Sequence, residues 1–93
     1  MAQKENNIIP MIFDEAFYRK MATQKWRQQD YKKAAEYYEK VLELSPEDFD
    51  IQQHYAQCLV KLNIGKKAEH LFYENIVKDF HVAESFYELS QLN

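Results

Sequence analysis

Three histidines and one cysteine are the side chains of this protein best suited to metal binding or nucleophilic chemistry. His54, His70 and His81 are 16 and 11 residues apart, so no two of them share a helical face as a pair of metal ligands would. Cys58 has no histidine placed beside it by the sequence, and a free cysteine on a helix is most often a small buried hydrophobe. We therefore expect no enzyme activity, no metal site and no cofactor.

The glycine content and the charge balance exclude further ligand classes. Gly65 is the only glycine, so the chain has no glycine-rich loop that could hold a phosphate group. The 12 Lys and Arg against 15 Asp and Glu give a net charge of −3, which argues against nucleic acid as a partner. The apolar run from Ile8 to Phe13 is broken by Pro10 and is too short for a signal peptide or a membrane span. These features predict a cytoplasmic protein that binds neither nucleic acid nor membrane.

The chain repeats itself at a spacing of 34 residues. Its 93 residues, with 46% hydrophobic side chains, one Gly and two Pro, describe a single domain with few and short connections between helices. Under the 34-residue shift, small residues coincide with small residues and aromatic residues with aromatic residues. The matched columns are Ala22 with Ala56 and Ser90, Met21 with Tyr55 and Leu89, Ala34 with Ala68, Tyr38 with Phe72, and Tyr18 with Phe86 across two periods.

These columns resemble the tetratricopeptide repeat family, through the pattern Tyr18-x2-Met21-Ala22, then Ala34-x3-Tyr38, then Pro46. The second unit departs from the pattern, because Gln52 replaces a large apolar residue, Asn75 a small residue and Phe80 the proline. The resemblance implies an all-α fold, in which antiparallel helix-turn-helix repeats stack as a short right-handed solenoid of about five helices. It divides the chain into an apolar N-terminal arm (1–14), two full units (15–48 and 49–82) and the first helix of a third (83–93).

Capping residues predict where the helices begin and end. Asp14, Asp30 and Asp48 can each accept a hydrogen bond from the free amides of a following helix. Asn63 and Gly65 supply the turn before the fourth helix. The predicted helices run from about 15 to 29, 31 to 44, 49 to 62, 66 to 78 and 83 to 92.

Small residues in these helices predict where the helix axes approach most closely. Ala22 and Ala56 would lie mid-helix at a crossing, where a small side chain permits an axial distance at the closer end of ~8–10 Å. Tyr38 and Phe72 would fill the wedge beside each crossing, and Cys58 would be buried on the third helix. These residues are expected to be packing residues rather than ligand contacts.

The resemblance also implies a concave groove lined by the first helix of each unit. In this groove an exposed Trp26 beside Arg19 and Arg27 would anchor an apolar side chain of the ligand, while the two guanidinium groups clamp a carboxylate. The alternative is that Trp26 packs against the first interhelix turn. A ligand would then place an acidic end near the two arginines and a basic or polar end near Asp50 and Glu84. The implied groove residues are Arg19, Thr23, Trp26, Arg27, Gln53, Gln57, Val60, Glu84 and Tyr87, with Ala16, Asp50 and Gln91 beside them.

The leading functional hypothesis is a protein–protein interaction module that holds a peptide or protein segment in this groove. Glu84 and Glu88 would repel the acidic chaperone tail that some members of the family grip, so that ligand is not expected. Asp50 and Glu84 also interrupt the basic surface that a reader of single-stranded RNA would need.

The alternative hypothesis is structural: a segment of a longer helical repeat protein, or a self-associating unit without a dedicated small ligand. It is motivated by the apolar face of the fifth helix, over which the second helix of a third unit would normally lie. The N-terminal arm would either cap the first helix or contact that face in another molecule. The predicted oligomer face consists of Phe86, Leu89 and Leu92.

Overall fold

The computed structural model describes residues 14–92, and helices are the only regular elements over that span. Each helix packs mainly against the next one along the chain, in antiparallel pairs, which confirms the predicted all-α repeat fold. The expectations for the N-terminal arm rest on residues 1–13, which lie outside this range. The five helices are α1 (Glu15–Arg27), α2 (Tyr31–Leu44), α3 (Phe49–Lys61), α4 (Gly65–Val77) and α5 (Val82–Gln91).

Three of the five helices begin at a side-chain cap, as the sequence predicts. Asp14, Asp30 and Asp48 each accept a hydrogen bond from the backbone amide three residues later, at 3.0, 3.2 and 3.1 Å. Such a cap satisfies one of the amides that the first turn of a helix leaves without a partner. By contrast, Ile64 and His81, which precede α4 and α5, form no side-chain cap.

Three helices end on a residue in the left-handed conformation that is not glycine. Gln29, Asn63 and Asp79 have φ angles of 62°, 65° and 65°. At each end, the amide of this residue donates to the carbonyl three residues back, and the next amide donates to the carbonyl five residues back. This is the Schellman arrangement, which closes the last turn. It explains why α1 ends at Arg27 rather than at the predicted Gln29.

The turn before α4 corrects one expectation from the sequence. Asn63 makes the turn as predicted, but Gly65 is already the first residue of α4 and has no positive φ. An ideal Cβ on Gly65 would lie 3.7 Å from Cδ2 of Leu92, an ordinary contact distance. Gly65 is therefore not needed for the turn, and it lies where the end of α5 packs against the start of α4.

The core forms at the predicted helix crossings. Ala22, Ala34, Ala56 and Ala68 are all 0% exposed, and Cys58 is buried among them in the same cluster. The aromatic residues of the repeat, at positions 38 and 72, are buried beside these alanines. The burial of all four alanines confirms the predicted register of the first two units, because a large residue at any of them would hold two helix axes apart.

A buried hydrogen-bond network joins α3, α4 and α5. Gln52 Nε2 donates to Asn75 Oδ1 at 3.0 Å, and Asn75 Nδ2 donates to Gln53 Oε1 at 2.6 Å. The hydroxyl of Ser85 on α5 donates to the same Gln53 oxygen at 3.1 Å. The two residues that depart from the repeat pattern in the core, Gln52 and Asn75, therefore satisfy each other's hydrogen-bonding groups.

Candidate peptide groove

The first helices of three successive units meet at one pocket of about 330 Å³. One lining residue comes from the end of α1, three come from the last turns of α3, and two come from the middle of α5. Four of the nine predicted groove residues are among them. The lining residues are Trp26, Gln57, Val60, Lys61, Tyr87 and Glu88, and we call this site the Trp26 pocket.

Trp26 is held in place by aromatic neighbours. Its ring meets the ring of Tyr31 edge-on, with centroids 5.2 Å apart and planes inclined by 74°. The ring of His54 lies 6.4 Å from Trp26 and stacks on Tyr38 at 5.9 Å. Trp26 therefore packs against the first interhelix turn, as the alternative interpretation of the sequence predicted, and its remaining surface borders the pocket. A half-buried ring fixed in this way needs little ordering when it contacts a ligand.

Lys61 and Glu88 also line the pocket, although neither is among the nine predicted groove residues. Lys61 follows Gln57 by four residues, so continuing the predicted row on α3 by one more turn would have found it. Glu88 follows Glu84 by four residues, and the sequence already indicated that both would repel an acidic chaperone tail. Lys61 Nζ lies 5.8 Å from the centroid of the Tyr31 ring, within cation–π range, which draws the ammonium group toward the Trp26 end of the pocket.

The remaining predicted residues on α1 lie apart from the Trp26 pocket. Arg19, Thr23 and Arg27 follow one another at four-residue spacing along α1. With Lys20, Gln24 and Gln28 they line a separate depression of about 640 Å³, to which Trp26 does not contribute. Trp26 and the two arginines therefore do not form the predicted clamp together, because Trp26 borders one depression and the arginines line another.

Arg19 is engaged within the chain. Its guanidinium group donates to Glu15 at 2.8 and 2.5 Å and also pairs with Asp48, the cap of α3. The Ser45 hydroxyl donates to Glu15 at 2.7 Å, and this bond, followed by the one from Arg19, holds the pKa of Glu15 below its usual range. The hydrogen bond to Asp48 is the largest cause of the raised pKa of Arg19. The expectation that Arg19 is free to bind a ligand carboxylate is thus corrected, because Arg19 ties α1 to the turn before α3.

The sequence model of the tetratricopeptide repeat matches residues 25–72, just over half of the chain. This chain belongs to the tetratricopeptide repeat family. Such repeats are in general modules for protein–protein interaction and are typically not catalytic. Neither the curated proteins nor the solved structures contain a significant match to the chain.

Gln53 is a further predicted groove residue that lies outside the Trp26 pocket of this tetratricopeptide repeat. It is 1% exposed, and its side chain lies in the network between α3, α4 and α5 rather than in the groove. Its Nε2 atom is buried without a hydrogen-bond partner among residues 14–92. The sequence carried a signal for this burial, because the polar residues Gln52 and Asn75 at core columns required nearby polar partners.

Asp50 and Glu84, the acidic residues expected at the far end of the groove, are both bound by one histidine. His81 Nε2 lies 2.5 Å from Asp50 Oδ1, and Nδ1 lies 3.1 Å from Glu84 Oε1. The hydrogen bond to Asp50 is the largest cause of the raised pKa of His81, and Glu84 adds to it. This repeat therefore uses the two carboxylates to fasten the start of α5 to the start of α3. With Arg19 also engaged, three of the four charges that were expected to bind the two ends of a ligand are already paired, and Arg27 is the exception among the described residues.

The predicted oligomer face on α5 is only partly available. Leu89 and Leu92 are half-buried and pack against the core of the repeat domain, because they lie on the side of α5 that meets α4. Phe86 is 55% exposed. Of the three predicted residues, Phe86 alone presents a large apolar surface to solvent.

Neither a metal centre nor a membrane span emerges from the described part of this tetratricopeptide repeat chain. Over residues 14–92, no three or more His, Cys, Asp or Glu side chains are grouped so that they could hold a metal ion. None of the helices described is long and apolar enough to cross a membrane.

Proposed function

We propose that this chain is a protein-binding module that holds a peptide segment in a concave groove along α1, α3 and α5, with the Trp26 pocket receiving one apolar side chain of the ligand. The observation that carries the proposal is that the first helices of all three units contribute to a single pocket. A surface shared by three rigid elements can hold an extended segment without rearranging the backbone.

The pocket lining favours a ligand with an apolar anchor. Trp26, Val60 and Tyr87 supply aromatic and aliphatic surface, and Tyr87 is 64% exposed, so contact with a ligand would cover a ring that water now contacts. The Gln57 amide can bond to the backbone of a bound segment, because it carries both a donor and an acceptor. Anchors of this kind are typical of the few residues that dominate binding energy at protein interfaces.

The charges at the pocket favour a ligand with both signs beside its anchor. Lys61 and Glu88 both line the pocket, from α3 and from α5. A ligand carboxylate would pair with Lys61, and a ligand ammonium or guanidinium group would pair with Glu88. Because such rim charges are solvated, they contribute orientation and association rate more than affinity.

One anchored side chain is not enough for tight binding. Burial of a large apolar side chain contributes ~1.5–3 kcal/mol, whereas micromolar affinity corresponds to about 8 kcal/mol. The ligand must therefore also contact neighbouring residues of the groove. Thr23 and Arg27 are exposed on the helix that carries Trp26, and neither has a hydrogen bond or ion pair with another side chain of the described residues.

A pair of substitutions by lysine tests the proposed groove. Peptides selected from a random library on the wild-type protein are expected to share an apolar or aromatic anchor. Val60→Lys places a charge in the Trp26 pocket and should weaken these peptides about tenfold or more. Leu44→Lys places the same lysine at an aliphatic side chain of α2 that is 54% exposed and lies outside the pocket, so it serves as the matched control.

The expected result is loss of binding by Val60→Lys and retention by Leu44→Lys, with circular dichroism showing both variants folded. Equal binding by the two variants would remove the Trp26 pocket from the site. Selection of peptides without any common apolar position would argue against an anchored ligand.

A further inference from the structure

One side of α5 is exposed where the corresponding sides of α1 and α3 are covered. Ser90 corresponds to Ala22 and Ala56 under the 34-residue repeat, and both alanines are 0% exposed, whereas Ser90 is exposed. Each alanine belongs to a first helix against which the second helix of the same unit packs. The structure thus contains two examples of how this kind of helix face is covered.

The residues one turn before these small residues identify the covering helix. Tyr18 contacts Tyr37 of α2, with ring centroids 6.3 Å apart. Gln52 donates to Asn75 of α4 at 3.0 Å. Phe86 is the third member of this column, and it is 55% exposed. A helix in the place that α2 and α4 occupy in their units would therefore contact Phe86 and Ser90.

The exposed face of α5 carries no charge. Ala83, Phe86 and Ser90 are exposed and follow one another at spacings of three and four residues, so they share one face of the helix. The acidic residues of α5 lie on other faces, since Glu84 binds His81 and Glu88 lines the Trp26 pocket. Two small residues around one aromatic ring form a surface on which a second helix can pack closely.

The neighbouring surface of α4 is apolar as well. Tyr73 and Val77 are 52% and 79% exposed, at spacing i, i+4. At the corresponding positions of the first unit, α2 has Glu39 and Glu43 instead. Glu39 accepts a hydrogen bond from Tyr55 on the next first helix at 2.5 Å, so this flank of a second helix adjoins the following unit. The two apolar residues of α4 thus enlarge the uncovered surface on the side of α5.

We propose that this surface, made of Ala83, Phe86 and Ser90 with Tyr73 and Val77 at its margin, binds an amphipathic helix of a partner protein that runs antiparallel to α5. The partner helix carries a small residue opposite Ser90 and an aromatic residue four positions later, next to Phe86. Both covering helices within the chain have this pattern, in Ala34-x3-Tyr38 and in Ala68-x3-Phe72.

Charge complementarity gives the partner helix a basic first turn. The α5 helix contains no Lys or Arg, and the carbonyl groups at its C-terminal end, near Ser90, carry a partial negative charge. An antiparallel partner places its N-terminal turn next to this end of α5. The covering helices α2 and α4 carry Lys32-Lys33 and Lys66-Lys67 in that turn. This second surface is separate from the Trp26 pocket and does not depend on the proposed groove.

A peptide with the sequence of residues 64–78 is a direct probe, because it has the basic turn, the alanine and the aromatic residue in the required order. Titration into the isotope-labelled protein should shift the backbone signals of Ala83, Phe86 and Ser90 and leave the indole signal of Trp26 unchanged. Ser90→Leu should weaken this binding about tenfold or more, because a bulky side chain at the crossing holds the two helix axes apart. Gln91→Leu places the same leucine at the adjacent exposed residue and should bind like the wild type.

Four results would overturn this inference. The first is the absence of saturable shifts up to a peptide concentration of about 1 mM, the affinity range of the weakest specific complexes. The second is equal binding by Ser90→Leu and Gln91→Leu. The third is a dimer, detected by sedimentation of the protein alone, that Ser90→Leu dissociates, since the occupant would then be a second copy of the chain. Shifts at Trp26 alone would support the groove while contradicting the α5 surface.

Discussion

Gln52 and Asn75 close the interior of the second unit with hydrogen bonds where the first unit uses apolar contacts. Their amides meet at 3.0 Å between α3 and α4, and Gln53 and Ser85 extend the network to α5. Buried amides are favourable only while they remain paired, because each donor or acceptor left without a partner costs ~1–3 kcal/mol. The network therefore makes the packing of the last three helices sensitive to single polar substitutions.

Asn75→Ala should be strongly destabilising. It removes the acceptor of Gln52 and the donor to Gln53 at once, and leaves a small cavity, so the free energy of unfolding should fall by ~2–4 kcal/mol in urea denaturation. In the double variant Gln52→Leu with Asn75→Ala, the loss should be smaller than the sum of the two single losses, because the leucine has no group to leave unpaired. Glu74→Ala, which removes only the exposed acceptor of Gln52, is the control and should cost less than ~1 kcal/mol. A loss below ~1 kcal/mol for Asn75→Ala would mean that the network contributes little.

Cys58 should react slowly with thiol reagents in the folded protein. Its side chain is 0% exposed, and burial raises the pKa of its thiol from 9.0 to about 12. At neutral pH the reactive thiolate form is therefore roughly a thousandfold less populated than in an unperturbed cysteine. Labelling with a chromogenic disulfide should therefore require unfolding and become fast in denaturant. Gln24→Cys combined with Cys58→Ser offers an exposed thiol on α1 as the control. Rapid labelling of native Cys58 would show that α3 separates readily from its neighbours.

At the scale of helices, α1, α3 and α4 end in Schellman motifs without a glycine, and ion pairs hold the starts of α3 and α5 in place. Gln29, Asn63 and Asp79 adopt the left-handed conformation, which is disfavoured for residues with a Cβ, and less so for Asn and Asp than for Gln. Arg19 ties α1 to the cap of α3, and His81 ties the start of α5 to α3. The angles between successive helices therefore depend on a few turn residues and charges.

Gln29→Gly should stabilise the fold. A non-glycine residue in the left-handed region costs roughly 1–2 kcal/mol, whereas glycine loses about 0.4–1 kcal/mol through the entropy of the unfolded chain, so a net gain of ~0.5–1 kcal/mol is expected. Gln28→Gly is the matched control, because Gln28 has a φ of −81° and gains nothing from glycine. It should lower the stability. Thermal unfolding checks both variants, and a loss of stability in Gln29→Gly would contradict the assigned turn.

The tie at His81 should make the stability depend on pH. The pKa of His81 in the folded protein is raised above its usual value of 6.5. The stabilisation that this interaction contributes is therefore complete below pH 6.5 and is lost as the pH rises through the raised pKa. The groups that face the ring are Asp50 of α3 and Glu84 of α5, both largely exposed, so the effect should not exceed ~1 kcal/mol. Urea midpoints at pH 6 and pH 8.5 measure it. His81→Asn keeps a residue that tolerates the left-handed conformation, and should remove this dependence while His70→Asn retains it. An unchanged pH dependence in His81→Asn would place its origin elsewhere.

At the scale of the whole molecule, repetition decided how much the sequence could predict. The all-α fold, the crossings at Ala22 and Ala56 and the caps of three helices follow from recurring columns and local capping chemistry. The groove was harder to predict, because the helical face on which a residue lies does not determine which other residues its side chain contacts. Arg19 and Gln53 occupy the helical positions that the groove requires, but Arg19 is engaged by ion pairs with Glu15 of its own helix and with Asp48 before α3, and Gln53 by a buried network. Those partners lie 22 to 32 residues away for Gln53 and 29 residues away for the Asp48 pair, beyond any local pattern.

The most direct test of the proposed groove is the fluorescence of Trp26, the only tryptophan of the chain. Because its ring borders the pocket, a peptide that inserts an apolar side chain there should shift the emission to shorter wavelength and saturate at one peptide per chain. The same titration on Val60→Lys should show an affinity about tenfold or more weaker, and on Leu44→Lys an unchanged affinity. If the peptides selected from the random library bind at one site by calorimetry and all leave the emission of Trp26 unchanged, the groove around this residue is not the binding site, and the function proposed for the Trp26 pocket is wrong.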